Sequence, residues 1–384
     1  MAIYKIFPEK DATLYSAFPD QNTGLDSILE SSTTFLPDSP EASRFVIKFS
    51  STEIDDIITN KISGSVTDIT GTLDPASGEF SSSLRCFIAD ISGLSTDTTL
   101  EIFPLAEPWN MGRGKYLDDP KTEDGCSWKW RLSSGSGQWS TSAFGAYITS
   151  SYPTANPGGG VWYTGSATLD PTQTQTFNYS SDKDINSDVS NAIRLINSGT
   201  INNEGFIIKQ SSSTEFQSVK SDVANIKFFS IDTNTIYPPQ LEFKWRDFNF
   251  STGSSTGTII DTSQVVATLP NNKGEFLSGS IHKFYINCRP QFPTRVYQTA
   301  SLYTTNYYLP TASYYSIKDL HTNESIIDFD NNYTQISADS NGSYFKLYMN
   351  GLEPERYYKI IIKTTIDDQV LVLDDDYYFK IING

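Results

Sequence analysis

Short apolar runs, broken by Ser, Thr, Asn, Asp, Gly and Pro, recur along the whole chain, and almost nowhere does their spacing drift to the helical period. Runs of this kind bounded by turn formers predict strands. In the first two-thirds they are Ile3–Phe7, Ala12–Tyr15, Ser27–Ser31, Arg44–Phe49 (RFVIKF), Leu84–Ile91, Thr99–Leu105 and Gly205–Lys209 (GFIIK), with Ile236–Trp245 as a last strand opened by a proline pair. RFVIKF carries its charges near its ends and is apolar between them, the pattern of a largely buried ladder. Asp20–Gly24 (DQNTG) and Glu215–Ser218 read as polar turns. One segment departs from the strand pattern. In Asp184–Leu195 and the residue beyond it, Val189, Ile193 and Ile196 fall at i, i+4 and i+7, which predicts a helix with Ser187 or Asp188 as its N-cap.

In the last third, Lys283–Cys288 alternates as a strand, and Phe345–Met349 (FKLYM) is expected to pair with Tyr357–Thr364 (YYKIIIKT) across Asn350–Glu355. Asp367–Gln369 marks another tight turn, before Val370–Leu373 and Tyr377–Ile382. Pro290, Pro293 and Pro310 predict loops rather than central strands over Arg289–Tyr315. At 384 residues the chain exceeds what one core sustains. The expected fold is all-β: residues 1–248 as a jelly-roll-like sandwich, 249–264 as a flexible Gly/Ser/Thr linker, and 265–384 as a tyrosine-rich immunoglobulin-like sandwich. Between about 110 and 179 periodicity fails, and Trp128, Trp130, Trp139 and Trp162 accumulate. A long insertion of this kind is either a contact surface toward a partner or glycan, or a folded excursion whose tryptophans form a small core of their own.

Composition narrows the function. A net charge of −17 and a pI near 4.5 exclude the clustered basic surface that nucleic acid requires. Cys86, Cys126 and Cys288 stand far apart with no CxxC pairing, against a disulfide framework or a zinc site. No stretch approaches the roughly 18 apolar residues of a membrane span. The opening MAIYKIFPEK has neither a basic nor an apolar leader region, so the expectation is synthesis in a cytoplasm and release by some other route.

Catalytic chemistry finds few candidates. His282 and His321 are the only histidines, and no GxSxG elbow accompanies them. Glu107 beside Trp109, and Glu215, are the carboxylates that a glycosidase reading would use, although the better expectation is a loop hydrogen bond for Glu107 and a structural turn for Glu215. Asp328, Asp330, Asp374 and Asp376 lie in oxygen-rich clusters that would suit calcium; Asp and Asn also cap turns with no ion present. The sharpest interaction candidates are the tyrosines of YTTNYYLPTASYY: Tyr303, Tyr307, Tyr308, Tyr314 and Tyr315. Tyrosine gives large contact area at low rotamer cost, and in an extended Tyr-Tyr pair one ring faces away from the other.

Asp11–Tyr15 (DATLY) with Asn22–Gly24 (NTG), Arg44–Phe49, Leu100–Trp109 (LEIFPLAEPW), Asp184–Lys209 and Pro238–Trp245 occur in an order that resembles the DNRLRE-type, carbohydrate-binding-module-like β-sandwiches. The likeness spans about two-thirds of the chain and departs from that family at the insertion after Trp109. Trp109–Gly114 (WNMGRG), Asp124–Arg131 (DGCSWKWR), Phe228–Trp245 and the tyrosine-rich C-terminal part are similar to structural proteins of tailed bacteriophages, including those of cyanobacteria. The resemblance implies a non-enzymatic virion component of neck, tail, baseplate or head, without a resident cofactor, repeated in a symmetric assembly and docked onto other virion proteins. The alternative it implies is a module that grips host-surface glycans through exposed tryptophans such as Trp139 and Trp162.

Overall fold

The structure is a computed structural model that describes residues 2–34, 41–62, 79–94, 96–140, 148–149, 158–164, 170–215, 223–253, 257–293 and 306–384. The chain is all-β, folded as two sandwiches. In the first, a four-stranded antiparallel sheet runs in the order Ala2–Ile6, Gln240–Trp245, Phe80–Cys86, Ile185–Asp188. It faces a larger curled sheet built from Gln173–Phe177, Thr98–Pro104, Phe206–Gln210, Glu41–Phe49, Ile28–Thr34, Asn225–Phe229 and Ile88–Ser92, with Pro8–Tyr15 also paired to Glu41–Phe49. Period-two alternation decides what goes between them. Leu84, Leu241 and Phe243 from one sheet meet Phe45, Ile47, Ile102, Phe206 and Ile208 from the other, all at most 1% exposed.

The predicted helix is shorter than its periodicity suggests. Ile185–Asp188 is an edge strand, the helix runs Ser190–Asn197, and Val189 occupies the N-cap position with no side-chain cap. Asp188 still serves the helix start, because its Oδ1 accepts from the Ser190 amide at 2.8 Å. The N-terminal half of the predicted segment pairs with Phe80–Cys86, and that pairing outweighs helix propensity there.

The second sandwich sets Thr258–Ile259, Tyr307–Tyr308, Ile281–Pro290, Gly342–Tyr348 and Ser337–Asp339, with Val265–Thr268 on Ile281–Pro290, against Glu275–Leu277, Gln369–Ile382, Tyr357–Ile366, Ser313–Asp319 and Ser325–Ile327. Its core is an aromatic stack: the Phe345 ring lies 4.2 Å from Tyr315 and 5.2 Å from Phe284. Three expectations are corrected. Phe345–Met349 does not pair with Tyr357–Thr364: Gly342–Tyr348 pairs with Ile281–Pro290 in one sheet and Tyr357–Ile366 with Ser313–Asp319 and Gln369–Ile382 in the other, because the two strands face each other across the core. Ser313–Asp319 is an inner strand, not a loop, since Pro310 precedes it and every amide inside it is free to bond. The described part of 249–264 is not a free linker either: Phe250 bridges to Ala338, Ser251 donates to the Ala338 carbonyl at 3.0 Å, and Thr258–Ile259 pairs in parallel with Tyr307–Tyr308.

The two sandwiches are joined by the strand Ala2–Ile6. Ala2 and Ile6 point into the first core, while Ile3 points into the second. Tyr348 sits 5.5 Å from both Tyr4 and Trp245. Lys5 Nζ donates to the Ile326 carbonyl at 3.3 Å, and Asn350 Nδ2 donates to the Lys5 carbonyl.

Candidate interaction surfaces

The described tryptophan-bearing parts of the insertion lie on the outer face of the larger sheet of the first sandwich, to which Gln173–Phe177 adds an edge strand. On that face Arg44, Val46, Ile207, Lys209, Glu101 and Phe103 alternate with the inward-facing residues of the same strands. Trp109, Trp128, Trp139, Trp162 and Val161 close over it as a second core with Ala12, Leu14, Val46 and Ile207. Trp128 is 1% exposed, and Trp139 and Trp162 are each 2% exposed, so none offers a ring face to a sugar or a partner. The expectation that Trp139 and Trp162 stack on glycans is thereby corrected. An apolar sheet face this wide needs cover, and the tryptophans supply it. Trp130 is half-buried and pinned by its Nε1, which donates to Asp20 Oδ1 at 2.7 Å.

Charge is buried under this cover. Arg44 Nε donates to Glu215 Oε1 at 2.9 Å and Nη2 to Oε2 at 2.8 Å, while Nη1 donates to the Gly159 carbonyl at 2.8 Å. Lys209 Nζ stands 3.1 Å from Glu215 and 3.0 Å from Glu101, which balances the cluster at two charges of each sign. The Arg44 guanidinium lies 4.8 Å from the Trp128 ring centre and 5.2 Å from that of Trp162. Asn22 makes a second stitch, donating from Nδ2 to the Met111 and Cys126 carbonyls at 2.7 Å each and accepting from the Gly114 amide at 2.8 Å.

The candidate tyrosines divide between core and surface. Tyr308 and Tyr315 are fully buried at 0% exposure, which removes them from any contact surface. Tyr307 and Tyr314 are half-buried, and the Lys363 ammonium lies 5.1 Å from the Tyr314 ring centre. Tyr303 lies outside the described residues. Strand alternation explains the division, because in both Tyr-Tyr pairs one ring points inward.

The acidic clusters are occupied by protein. Asp330 Oδ1 accepts from the amides of Asn332 at 2.7 Å and Tyr333 at 3.0 Å, closing its own turn beside the exposed Asp328. Asp374–Asp376 does not cap a turn. The hairpin turns at Asp367–Asp368, where the sequence placed a tight turn, and the three aspartates form a bulge opposite Ile361. There the Lys359 ammonium bonds Asp374 at 2.5 Å and Asp376 at 3.3 Å, taking the place a cation would fill. Among the described residues no three His, Cys, Asp or Glu side chains group as metal ligands.

The remaining chemical candidates are engaged in structure. Glu107 Oε2 accepts from the Ser140 amide at 3.0 Å, and Glu215 is held by Arg44 and Lys209. His282 packs 4.5 Å from the Phe276 ring and 4.6 Å from Phe284, with burial lowering its pKa. His321 is exposed on a turn. Burial raises the thiol pKa of Cys86 and Cys126, and pushes Cys288 up to about 12. No helix among the described residues is long and apolar enough to cross a membrane.

No protein-family model matches the chain, and no curated protein matches it. Among solved structures it is similar to the crystal structure of a DUF4785 family protein from Legionella pneumophila, at 9% identity over 84% of this chain and 70% of that one, with a TM-score of 0.17. A superposition that loose carries no argument.

Two features that sequence reasoning missed stand at the surface. A small cleft of 50 Å³ opens where the sandwiches meet, between Lys5 and Arg85 on one side and Glu324, Glu353 and Arg356 on the other. Its residues come from segments far apart in the chain, so no local motif announces it. The second is the outer edge of Gln369–Ile382, where Val370 is 63% and Val372 57% exposed. The signal for that edge was available: Val370 and Val372 alternate with the half-buried Leu371 and Leu373, directly after the Asp-Asp turn.

Proposed function

We propose that the chain is a non-enzymatic structural component of a tailed phage particle, a rigid two-sandwich block that joins or decorates neighbouring virion proteins. The observation that carries this reading is the join. The Ala2–Ile6 strand gives one face to each core, so the sandwiches hold a fixed angle rather than swinging on a linker. A block of fixed geometry suits repeated, symmetric contacts, in which every copy must present the same surfaces. The use of tryptophan and buried ion pairs to fasten the insertion, rather than to shape an open groove, favours the same role. The sequence resemblance to phage structural proteins supplies the particle.

The test is the protein content of purified parent virions. Mass spectrometry is expected to find this chain at a fixed ratio to the tail and neck proteins after the particles have been washed in high salt. A chain that stays in the lysate supernatant overturns the reading. A glycan array probed with the full chain separates the alternative, since strong sugar binding by a chain missing from particles would favour it.

A further inference from the structure

We infer that the outer edge of Gln369–Ile382 is a docking edge for an extended segment of another protein, apolar in its middle and basic at its ends, which adds as an extra strand to the second sandwich. This rests on the docking reading above and names its chemistry. The hairpin register fixes which backbone groups are free. Ile366 faces Gln369 across Asp367 and Asp368, whose φ values of 47° and 60° are those of a two-residue type I′ turn. In an antiparallel pair, residues opposite one another alternate between bonding each other and pointing their N–H and C=O outward. Counting from the turn, Thr365–Val370 and Lys363–Val372 are the outward-pointing pairs. The Thr365 amide accordingly donates away from the hairpin, to the Ala312 carbonyl at 3.0 Å.

Val370 and Val372 therefore turn their amides and carbonyls to the open edge. The neighbouring strand Glu275–Leu277 reaches only Lys380–Ile382, and the Asn272 side chain covers the Tyr378 carbonyl at 2.9 Å. Among the described residues no backbone group bonds the outer side of the strand between Gln369 and Asp376. An open, apolar strand edge is a template for pairing.

Charge selects the occupant. The edge is flanked by Asp367 and Asp368 at one end and Asp374, Asp375 and Asp376 at the other. A second copy of this chain is disfavoured. In an antiparallel self-pair centred on Leu371, which sets the outward-pointing Val370 against Val372, Asp368 would face Asp374 and Asp367 would face Asp375, and like charges directly opposite repel. A strand with Lys or Arg at both ends instead meets Asp367 and Asp368 at one end and Asp375 at the other, beside the Asp374 and Asp376 that Lys359 already holds. The acidic ends thus keep identical copies apart while leaving the apolar centre open.

The test uses the full chain and the synthetic peptide Lys-Lys-Val-Thr-Val-Thr-Val-Lys-Lys, with Glu replacing every Lys in a control peptide. The basic peptide is expected to slow hydrogen exchange at the Val370 and Val372 amides by at least about tenfold, and the acidic one to leave them unchanged. Val372→Pro removes an edge amide that bonds nothing inside the sheet, so the fold is expected to stand while peptide affinity falls at least about tenfold; Val372→Thr is expected to retain it. Unchanged exchange at saturating basic peptide overturns the inference, as does equal binding of the acidic peptide or full affinity in Val372→Pro. If Val372→Pro unfolds, the basic peptide N-methylated at its valines decides, because only edge pairing needs those amides. Particles that contain the chain and take up Val372→Pro normally would sink the edge and leave the docking reading intact. Particles that lack the chain would sink the docking reading while the peptide result stands.

Discussion

Arg44 and Glu215, 171 residues apart, close a bidentate ion pair beneath the tryptophan cover with side chains 0% and 4% exposed. The pair ties the first sandwich's central strand to the turn after Phe206–Gln210, and Arg44 reaches on to the insertion through Gly159. Removing one partner leaves a buried charge whose remaining neighbours no longer balance it. Arg44→Ala and Glu215→Ala are each expected to cost about 3–5 kcal/mol. Arg44→Met with Glu215→Leu is expected to recover most of that loss, because an apolar pair of similar volume needs no hydration. Denaturant unfolding followed by tryptophan fluorescence reads all three variants. Additive losses in the double variant would show that the pair is not coupled.

Asp11 gives the fold a pH dependence. Its Oδ2 accepts from the Ile231 amide at 2.7 Å, but Oδ1 is buried with no bonding partner. Burial first, and the neighbouring Asp232 and Asp26 after it, push its pKa up to about 8. Between the ordinary carboxylate range and that value the folded chain holds a proton that the unfolded chain has lost. Stability from this group is therefore present at low pH and falls as pH rises through that window, by at most about 1.4 kcal/mol per pH unit. Above it the loss levels off. Asp11→Asn keeps the bond to Ile231 and removes the titration. It is expected to exceed the wild type in thermal stability at alkaline pH and to match it near pH 4; parallel pH profiles would refute the assignment.

Lys359 makes a direct prediction about calcium. Its ammonium already bridges Asp374 and Asp376, so calcium and a chelator are expected to give the same melting temperature for the wild-type chain. Both acids are largely exposed, and Lys359→Met is expected to cost no more than about 1 kcal/mol. A calcium-dependent rise in melting temperature for the wild type would show that the bulge takes an ion after all.

Strand positions were legible in the sequence wherever one face is buried. RFVIKF lies within a strand, and GFIIK and FKLYM overlap strands in all but Gly205 and Met349, since two-residue alternation and β-branched or aromatic side chains mark them without tertiary information. What lay out of reach was which side of the first sandwich's larger sheet would be covered. Arg44 and Lys209 look like surface charges on their strands, and only the insertion's path above them makes them interior. The tryptophans were found as a group, but whether they face in or out depends on the apolar patch of Ala12, Leu14, Val46 and Ile207, assembled from three strands. Tyr308 and Tyr315 were misplaced for a related reason: the prolines nearby suggested a loop, and a loop has no inward face.

Ile3 carries the last prediction. It sits in the second core with 6% exposure, while Ala2 and Ile6 on the same strand sit in the first. If this strand couples the two sandwiches, they should melt as one unit. Ile3→Ala removes buried methylenes from the second core alone and is expected to cost about 2–4 kcal/mol there. Because Lys5 and Asn350 still bond across the join, the wild type's single calorimetric transition is expected to broaden rather than vanish. Ile3→Ala combined with Asn350→Ala is expected to split it into two transitions, the second sandwich melting first. Two transitions already present in the wild type would mean that the sandwiches are independent, and the fixed angle on which the proposed role depends would be lost.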